Sequence, residues 1–348
     1  MTEQAKNQEI AFLWQKSRLT LTDEYAIAPE ILKVHSSPIG TLGNFSASIG
    51  KAKSKKTFNV SAIVAATLKN GTVLQYEAEL PESKRKILYV DTEQSPYHCL
   101  KVMRRIVSMA QFPLDKHPEN LQFLALRKYT PEIRIAIIET AIYNTEGLGL
   151  VIIDGIRDMV YDINSPSEST KIISKLMQWT DERQIHIHTI LHQNKADENA
   201  RGHIGTELNN KAETVLEVAK DKLDSNISTV QAIHIRAVDF QPFAFRINED
   251  ALPELVEGFS FDKNKSESHF FDYSELTEEQ HRHALEVIFP ESEQYGYGDL
   301  MKALKRGYAT IGCVYGENKL GKLKTYLENK RMIVKDAKKY KFNSECIY

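Results

Sequence analysis

Apolar and polar residues along positions 43–250 form a repeating pattern of short buried strands and amphipathic helices. The runs Ile87–Asp91 and Gly149–Asp154 are almost wholly apolar and end in an acid. Such runs are typical of strands buried in a parallel sheet. Between the strands, apolar residues recur at helical spacing, as in Thr57–Leu68 and Ser167–Arg183. Strand and helix in alternation predict an α/β fold, with a mostly parallel sheet and helices on both of its faces.

The other elements predicted in this region follow the same pattern. The last strands have no helix between them, which predicts an antiparallel extension of the sheet. The further predicted strands are Gly43–Gly50, Leu121–Leu126, Ile185–His192, Thr214–Ala219, Gln231–Val238 and Ala244–Ile247, and the further predicted helices are Pro96–Ala110 and Pro131–Asn144.

The composition changes after residue 256. Residues 257–275 are polar, with Ser, Lys and Asp interleaved, which predicts a linker. Three short helical patterns and a hairpin pattern follow, and this order predicts a C-terminal winged-helix domain. The predicted divisions are an N-terminal extension (1–42), an α/β domain (43–256), the linker (257–275) and the winged-helix domain (276–348).

Charge is balanced over the chain but uneven along it. The 45 Lys and Arg and 47 Asp and Glu give a net charge of −2, which excludes a uniformly polybasic nucleic-acid binder. Residues 295–348, however, hold twelve Lys and Arg against five acids, so a nucleic-acid surface is expected to be local.

The cysteines and the lengths of the apolar runs indicate in which cellular compartment the protein is expected. Cys99, Cys313 and Cys346 form no CxxC pair, so neither a disulfide framework nor a cysteine zinc site is supported. No apolar run approaches the roughly 18 residues of a membrane span. Residues 1–30 lack a signal-peptide pattern. Together these features predict a cytoplasmic protein without a membrane partner.

A lysine-rich octapeptide, GKAKSKKT, joins a predicted strand to a predicted helix. It resembles the phosphate-binding P-loop GxxxxGK[ST] in length, context and its final Lys-Thr. Such a loop wraps backbone N–H groups around phosphates at a helix N-terminus. Lys56 would neutralise phosphate charge, and the Thr57 hydroxyl would bind Mg²⁺. The expected nucleotide contacts are Gly50, Lys51, Ala52, Lys53, Ser54, Lys55, Lys56 and Thr57.

One position departs from the P-loop pattern. Lys55 stands where the second glycine is usual. If that position requires a positive φ, lysine costs roughly 1–2 kcal/mol there. The alternative interpretation of the octapeptide is a solvated loop rich in lysine.

Polar residues at the ends of three other strands fit a P-loop site. Asp154 is expected to hold Mg²⁺, although a loop-facing acid after a buried strand is the alternative. Gly155 follows it in place of an acid, so the water-activating base is assigned to Glu93, which otherwise is an ordinary helix N-terminal acid. Gln193 or His192 suits a γ-phosphate sensor, with a simple strand-end cap as the alternative.

Taken together, these motifs resemble the RecA-like P-loop ATPases, and most nearly the RepA-type hexameric replication ATPases and DnaB-type helicases. Similar glycine-poor P-loops occur in ATPases of Bacteroidetes mobile elements. The resemblance implies a RecA-like fold, ATP and Mg²⁺ as ligands, and a homo-oligomer, expected to be a hexameric ring. It rests on GKAKSKKT, YVDTE, LVIID, ILHQN and Arg201-Gly202 followed by Lys211–Glu217, in which Glu213 replaces the usual Asp.

The resemblance also implies contacts beyond one subunit. Ile233–Arg236 is similar to the helicase hairpin that supplies a Lys-x-Arg pair, so Arg236 is the expected arginine finger in a neighbour's site. An exposed strand arginine without that role is the alternative. The family binds DNA through two loops, here 158–170 and 195–206, which offer Lys195 and Arg201. Such segments are also compatible with plain surface loops.

The basic tail is a second expected DNA surface. Its third helical pattern could enter a major groove, but it holds no arginine for bidentate contact with guanine, which argues against base specificity. Docking of another protein is the alternative. The expected DNA contacts in the tail are Lys319, Lys322, Lys324, Lys338 and Lys339.

Two main functional hypotheses follow. The first is an Mg²⁺-dependent RecA-like ATPase that acts on DNA as a helicase, replication or mobilisation factor of a mobile element, together with other replication or mobilisation proteins. The second is a nucleotide-binding adaptor or regulator that docks on DNA with little or no turnover. A weaker third hypothesis is a transcriptional regulator led by the tail. In the first, Lys56, Glu93, Gln193 and Arg236 are catalytic, while Thr57 and Asp154 hold the metal.

Overall fold

A computed structural model describes most of the 348 residues, and its contacts divide the chain into two compact units, 1–259 and 260–348. No helix among the residues it describes combines the length and apolar character needed to cross a bilayer. The described residues are 3–25, 27–193, 200–259, 261, 273, 276–290, 294–311, 313 and 315–344.

Strands and α-helices alternate from β6 to α6, and short 3₁₀ helices occur at Glu82–Lys84 and Ile156–Met159. The strands are β1 (Glu30–Val34), β2 (Ser37–Thr41), β3 (Phe45–Gly50), β4 (Thr72–Val73), β5 (Tyr76–Ala78), β6 (Lys86–Asp91), β7 (Leu121–Ala125), β8 (Leu148–Asp154), β9 (His186–His192), β10 (Thr214–Lys220), β11 (Ile227–Ile235), β12 (Phe243–Ile247), β13 (Pro253–Leu255), β14 (Ile333–Asp336) and β15 (Lys339–Phe342). The α-helices are α1 (Glu3–Lys16), α2 (Lys56–Lys69), α3 (Pro96–Met109), α4 (Pro131–Asn144), α5 (Pro166–Arg183), α6 (Gly202–Lys211), α7 (Glu278–Ile288), α8 (Tyr297–Thr310) and α9 (Glu317–Asn329).

A nine-stranded sheet organises the first unit, in the order β13-β12-β11-β10-β3-β9-β8-β6-β7. The six strands from β10 to β7 are parallel, and β11, β12 and β13 extend the sheet antiparallel. Both features were predicted, and the arrangement fits a RecA-like fold. The ends of β3, β6, β8 and β9 lie at one edge of the sheet, because the carboxyl ends of parallel strands meet there.

Apolar side chains cover both faces of this sheet, as predicted. One buried cluster joins the sheet to α2, α3 and a second, smaller sheet. The other joins the opposite face to α4, α5 and α6. The predicted strand Gln231–Val238 lies earlier than expected, at Ile227–Ile235, because Ser228–Val230 pair with both β10 and β12.

The smaller sheet, in the order β2-β1-β5-β4, involves residues predicted as part of an N-terminal extension. β1 and β2 are joined by a tight hairpin turn, in which His35 and Ser36 have φ of 47° and 72°. Ile31, Leu32 and Val34 are fully or almost fully buried against the cluster that holds α2. Residues 30–41 therefore help to position the helix that carries the P-loop.

The second unit consists of three helices followed by an antiparallel hairpin of β14 and β15. Its own apolar core joins α7, α8, α9 and the hairpin. Buried His281 links Tyr308 OH and the Tyr273 carbonyl, at 2.7 and 2.8 Å. The element order is the predicted one, while assignment to the winged-helix family stays a prediction. Most of the predicted linker 257–275 lies outside the described residues.

Candidate functional site

Gly50 ends β3, and α2 begins six residues later at Lys56. A Cβ atom at Gly50 would lie 2.2 Å from the Val218 carbonyl oxygen and 2.6 Å from Ser54 Oγ. Because the first of these is backbone on the neighbouring strand β10, it cannot move aside. The first glycine of the octapeptide is therefore required by close packing of the loop on the sheet.

Lys55 has the left-handed backbone that a glycine would take without strain, with φ 69° and ψ 28°. The conformation costs a lysine roughly 1–2 kcal/mol. Its Nζ donates a hydrogen bond to the Asn226 carbonyl, which ties the loop to the segment before β11. Burial lowers the pKa of Lys55 from its usual value. The lysine at this position thus adopts the backbone conformation that favours glycine.

Lys56 is almost completely buried at the start of α2. Its Nζ donates to the Gly50 carbonyl at 2.7 Å and the Lys51 carbonyl at 3.0 Å, and lies 3.1 Å from His192 Nδ1. Burial lowers the pKa of Lys56 to about 8. The ammonium group is therefore held inside the curve of its own loop.

Thr57 and Asp154 meet at the end of β8. The Thr57 hydroxyl donates to Asp154 Oδ2 at 3.3 Å, and the Tyr89 hydroxyl donates to the same oxygen at 2.9 Å. Burial, together with the charge of Asp91, raises the pKa of Asp154 to about 7. A hydroxyl beside a carboxylate is an oxygen ligand set that fits Mg²⁺.

Glu93 follows β6 and faces His192 across the same edge, with 3.6 Å between Glu93 Oε1 and His192 Nε2. Contact with His192 holds the pKa of Glu93 below its usual value, so this carboxylate is ionised at neutral pH. Gly155, with φ 100°, makes room for it: a Cβ there would lie 2.3 Å from Thr92 Oγ1 and 2.9 Å from Glu93 Cγ.

These groups line one cavity of about 430 Å³. Its far wall is α3, which was not predicted to take part in the site. The Arg105 guanidinium lies 3.6 Å from the centre of the Phe58 ring. On sequence grounds the basic residues of α3 look like the solvated face of an amphipathic helix, and no motif marks them. The cavity is lined by Lys53, Ser54, Lys55, Lys56, Thr57, Phe58, Glu93, Gln94, His98, Lys101, Val102, Arg105, Asp154, Ile190 and His192.

The cavity fits a polyphosphate. Five Lys and Arg line it against two acids, and in the described part of the chain none of the five lies within ion-pair distance of an Asp or Glu. Ser54 Oγ is buried and has no hydrogen-bond partner among the described residues, so it is available to a ligand. The N-terminus of α2 adds backbone N–H groups at the same place.

Other predicted residues lie elsewhere. Gln193 does not line the cavity: its amide donates to Glu217 Oε1 at 2.6 Å. His192, the alternative sensor, does line it. Arg236 is exposed at the end of β11, and its guanidinium donates to the Lys211 carbonyl at 3.2 Å. The roles proposed for Gln193 and Arg236 stay predictions.

The two loops predicted to bind DNA are only partly loops. Arg201 is exposed and directly precedes α6, which occupies the end of the predicted loop 195–206. Lys195 lies outside the described residues. In the second unit, Lys322, Lys338 and Lys339 are exposed.

Two other lysines of α9 have partners within the second unit. Lys324 pairs with Glu328 at 2.6 Å, which raises the pKa of Lys324. Lys319 Nζ lies 5.4 Å from the centre of the Tyr315 ring. Lys322, Lys338 and Lys339 are therefore the better-placed candidates for phosphate contact.

One family model covers the part of the chain that holds the octapeptide. A family model described as AAA domain matches residues 20–198. No curated protein matches the chain. Among solved structures, the crystal structure of the RadB recombinase is similar, with a TM-score of 0.44 and 14% identity over 62% of this chain and 92% of that chain. Because the family model covers just over half of the 348 residues, including the P-loop, Glu93 and Asp154, the chain belongs to the AAA domain family of P-loop ATPases.

Proposed function

We propose that this chain is an Mg²⁺-dependent ATPase that acts on DNA. One observation carries the proposal: a P-loop lysine, a hydroxyl–carboxylate pair and an ionised glutamate line the same cavity at the carboxyl edge of a parallel sheet. Ligands of α/β proteins bind at this edge. The family match supports the nucleotide, and the basic tail supports DNA as partner.

Each side chain has a distinct task in this proposal. Lys56 exchanges its carbonyl partners for phosphate oxygens, and Thr57 and Asp154 hold the cation, which neutralises charge on the phosphates when bound. Glu93 orients the attacking water. His192 contacts both Lys56 and Glu93, so it is better placed than Gln193 to respond to the γ-phosphate. The adenine base of the nucleotide would stack on the Arg105 guanidinium, and the Phe58 ring packs against the other side of that guanidinium.

Substitution Glu93→Gln tests the assignment. We expect turnover to fall by roughly 10²–10⁴-fold, because the group that orients water is lost. Binding of a fluorescent ATP analogue should persist, since the phosphate and metal contacts remain. Glu249→Gln, which changes an exposed acid that does not line the cavity, is the matched control and should retain full turnover. Absence of nucleotide binding by the unaltered chain would contradict the proposal.

The strained Lys55 favours a second candidate function, a nucleotide-dependent adaptor with little turnover. Steady-state hydrolysis with and without single-stranded DNA separates the two. If the unaltered chain binds ATP but shows no turnover, and Glu93→Gln changes nothing, the adaptor is correct. Turnover that depends on Glu93 supports the ATPase.

The finer parts of the proposal concern assembly and role. A homo-oligomer, expected to be a hexameric ring, would bring Arg236 to a neighbour's cavity. The exposed position of Arg236 at the end of β11 is compatible with this contact. A helicase, replication or mobilisation activity for a mobile element follows only from the family resemblance, and strand-displacement assays on forked DNA would test it.

A further inference from the structure

A buried tyrosine stands in the middle of β6, where its neighbours along the strand, Leu88 and Val90, are aliphatic. Tyr89 is fully buried and pairs in register with Phe123 of β7 and Ile152 of β8. Interior strands of parallel sheets are usually runs of Val, Ile and Leu. A tyrosine there brings a hydroxyl group that must find a hydrogen-bond partner.

The partner is the carboxylate at the end of β8. The Tyr89 hydroxyl donates to Asp154 Oδ2 at 2.9 Å, and the Thr57 hydroxyl donates to the same oxygen at 3.3 Å. Neither of these hydroxyl groups, and no other donor of the described residues, makes a hydrogen bond to Oδ1. One oxygen of the carboxylate is therefore held from two sides, and the other is left for a ligand.

The phenol ring cannot easily turn away from this contact. It stacks on Phe123 with 4.4 Å between ring centres and 8° between ring planes. Its burial leaves no solvent-exposed direction for the hydroxyl to move into. The hydroxyl is fixed by the packing of β6 on β7, and the carboxylate is fixed by the hydroxyl.

We propose that Tyr89 is a positioning residue that orients the Asp154 carboxylate for the magnesium ion of the nucleotide. The inference rests on the proposed function, because it assumes that Asp154 binds the cation. Groups that hydrogen-bond to metal ligands from outside the coordination sphere fix ligand orientation, and their loss typically weakens metal affinity by about 10- to 100-fold. Tyr89 begins the YVDTE segment, but it lies in the buried strand rather than at its tip, so the sequence alone assigned it no role.

Substitution Tyr89→Phe removes only the hydroxyl and keeps the stack on Phe123. The test titrates Mn²⁺, as a paramagnetic probe for the Mg²⁺ site, into the full chain with a non-hydrolysable ATP analogue, and measures free Mn²⁺ by electron paramagnetic resonance. We expect the Mn²⁺ concentration at half-saturation to rise by about tenfold. Nucleotide binding without divalent cation should change by less than about twofold, because Tyr89 does not line the cavity.

Tyr76→Phe is the matched control. Tyr76 is also fully buried, donates its hydroxyl to Asn59 Oδ1 at 2.9 Å, and packs on an aromatic ring, that of Phe243. Its loss should lower stability comparably and leave Mn²⁺ binding unchanged. A general loss of packing would alter both variants alike, whereas a positioning role alters only Tyr89→Phe.

Two results would overturn the inference: unchanged Mn²⁺ half-saturation in folded Tyr89→Phe, or an equal shift in Tyr76→Phe. Failure of the unaltered chain to bind Mn²⁺ with nucleotide would instead overturn the proposed function, so the two failures are distinguishable.

If Tyr89→Phe does not fold, Phe123→Leu is used. That variant keeps the hydroxyl but loosens the ring, so Mn²⁺ half-saturation should rise, and an unchanged value would overturn the inference.

Discussion

Two buried histidines under the P-loop strand illustrate how single residues constrain this site. His188 bonds with both ring nitrogens, to Ser46 Oγ at 2.8 Å and Ser48 Oγ at 2.9 Å. His186 shares Ser46 Oγ at 2.7 Å. Burial lowers the pKa of His188 to about 3, so the ring is neutral in the folded chain at physiological pH. These bonds tie β3, which leads into Gly50, to β9, which leads into His192.

The neutral state of His188 predicts a pH dependence of stability. Unfolding restores a pKa of about 6.5, so below that value the unfolded chain binds a proton that the folded chain does not. The free energy of unfolding therefore falls as pH falls, and by about 1.4 kcal/mol between about pH 7.5 and pH 5.5 from this residue.

Urea unfolding at the two pH values, followed by fluorescence of buried Trp179, measures this effect. His188→Gln should remove about 1.4 kcal/mol of the pH dependence. His203→Gln, which changes an exposed histidine of α6, should remove none. An identical pH dependence in His188→Gln and the unaltered chain would show that His188 is not neutral in the fold.

At the scale of elements, the strands that carry the site were the most predictable. β6 and β8 lie inside the parallel sheet and are near-continuous apolar runs that end in an acid, whereas β3 and β9 include buried Ser, Thr and His. Which of the two side chains, His192 or Gln193, lines the cavity was not predictable from the sequence of β9 alone, because successive strand residues point to opposite faces.

Elements that depend on unusual backbone were missed for a physical reason. The β1–β2 hairpin turns through His35 and Ser36 in left-handed conformation, and neither residue type marks such a turn as glycine does. Pro38, which lies within β2, also makes that segment look like a loop in the sequence. The basic wall of α3 was missed because Lys101 and Arg105 line the cavity only when α3 packs beside α2, and the sequence does not show that packing.

Two glycines in neighbouring helices of the second unit give an element-scale prediction. A Cβ at Gly321 in α9 would meet nothing within 4 Å. At Gly307 in α8 it would lie 2.2 Å from Ile288 Cγ1 and 3.1 Å from the Ala284 carbonyl oxygen. We expect Gly321→Ala to stabilise the second unit by about 0.5–1 kcal/mol through helix propensity, and Gly307→Ala to destabilise it by about 1–3 kcal/mol through overpacking.

Hydrogen exchange of peptides from α8 and α9, read by mass spectrometry in the full chain, measures both effects. Protection should increase in Gly321→Ala and decrease in Gly307→Ala. A change of the same sign in both variants would contradict the packing described for these helices.

At the scale of the whole molecule, the tail carries twelve Lys and Arg against five acids, although the chain as a whole is nearly neutral. If the exposed hairpin contacts DNA phosphates, the logarithm of the binding constant must fall linearly with the logarithm of salt concentration. Lys339→Ala should lower the magnitude of this slope by about 1, since one phosphate contact is lost.

Fluorescence anisotropy with duplex DNA, from about 50 to about 200 mM salt, gives the slope. Lys69→Ala, at the exposed end of α2, is the control and should leave it unchanged. A slope that stays the same in Lys339→Ala would instead favour the tail as a protein-docking module.

The lack of space at Gly155 limits how this site can be redesigned. The substitution Gly155→Glu would place a second acid directly after Asp154, as in many P-loop enzymes. Here the incoming side chain would start from a backbone with φ 100° and collide with Thr92 and Glu93. A carboxylate could therefore be placed directly after β8 or kept after β6, where Glu93 stands, but not in both places, and placing it after β8 would first require a smaller residue at position 92.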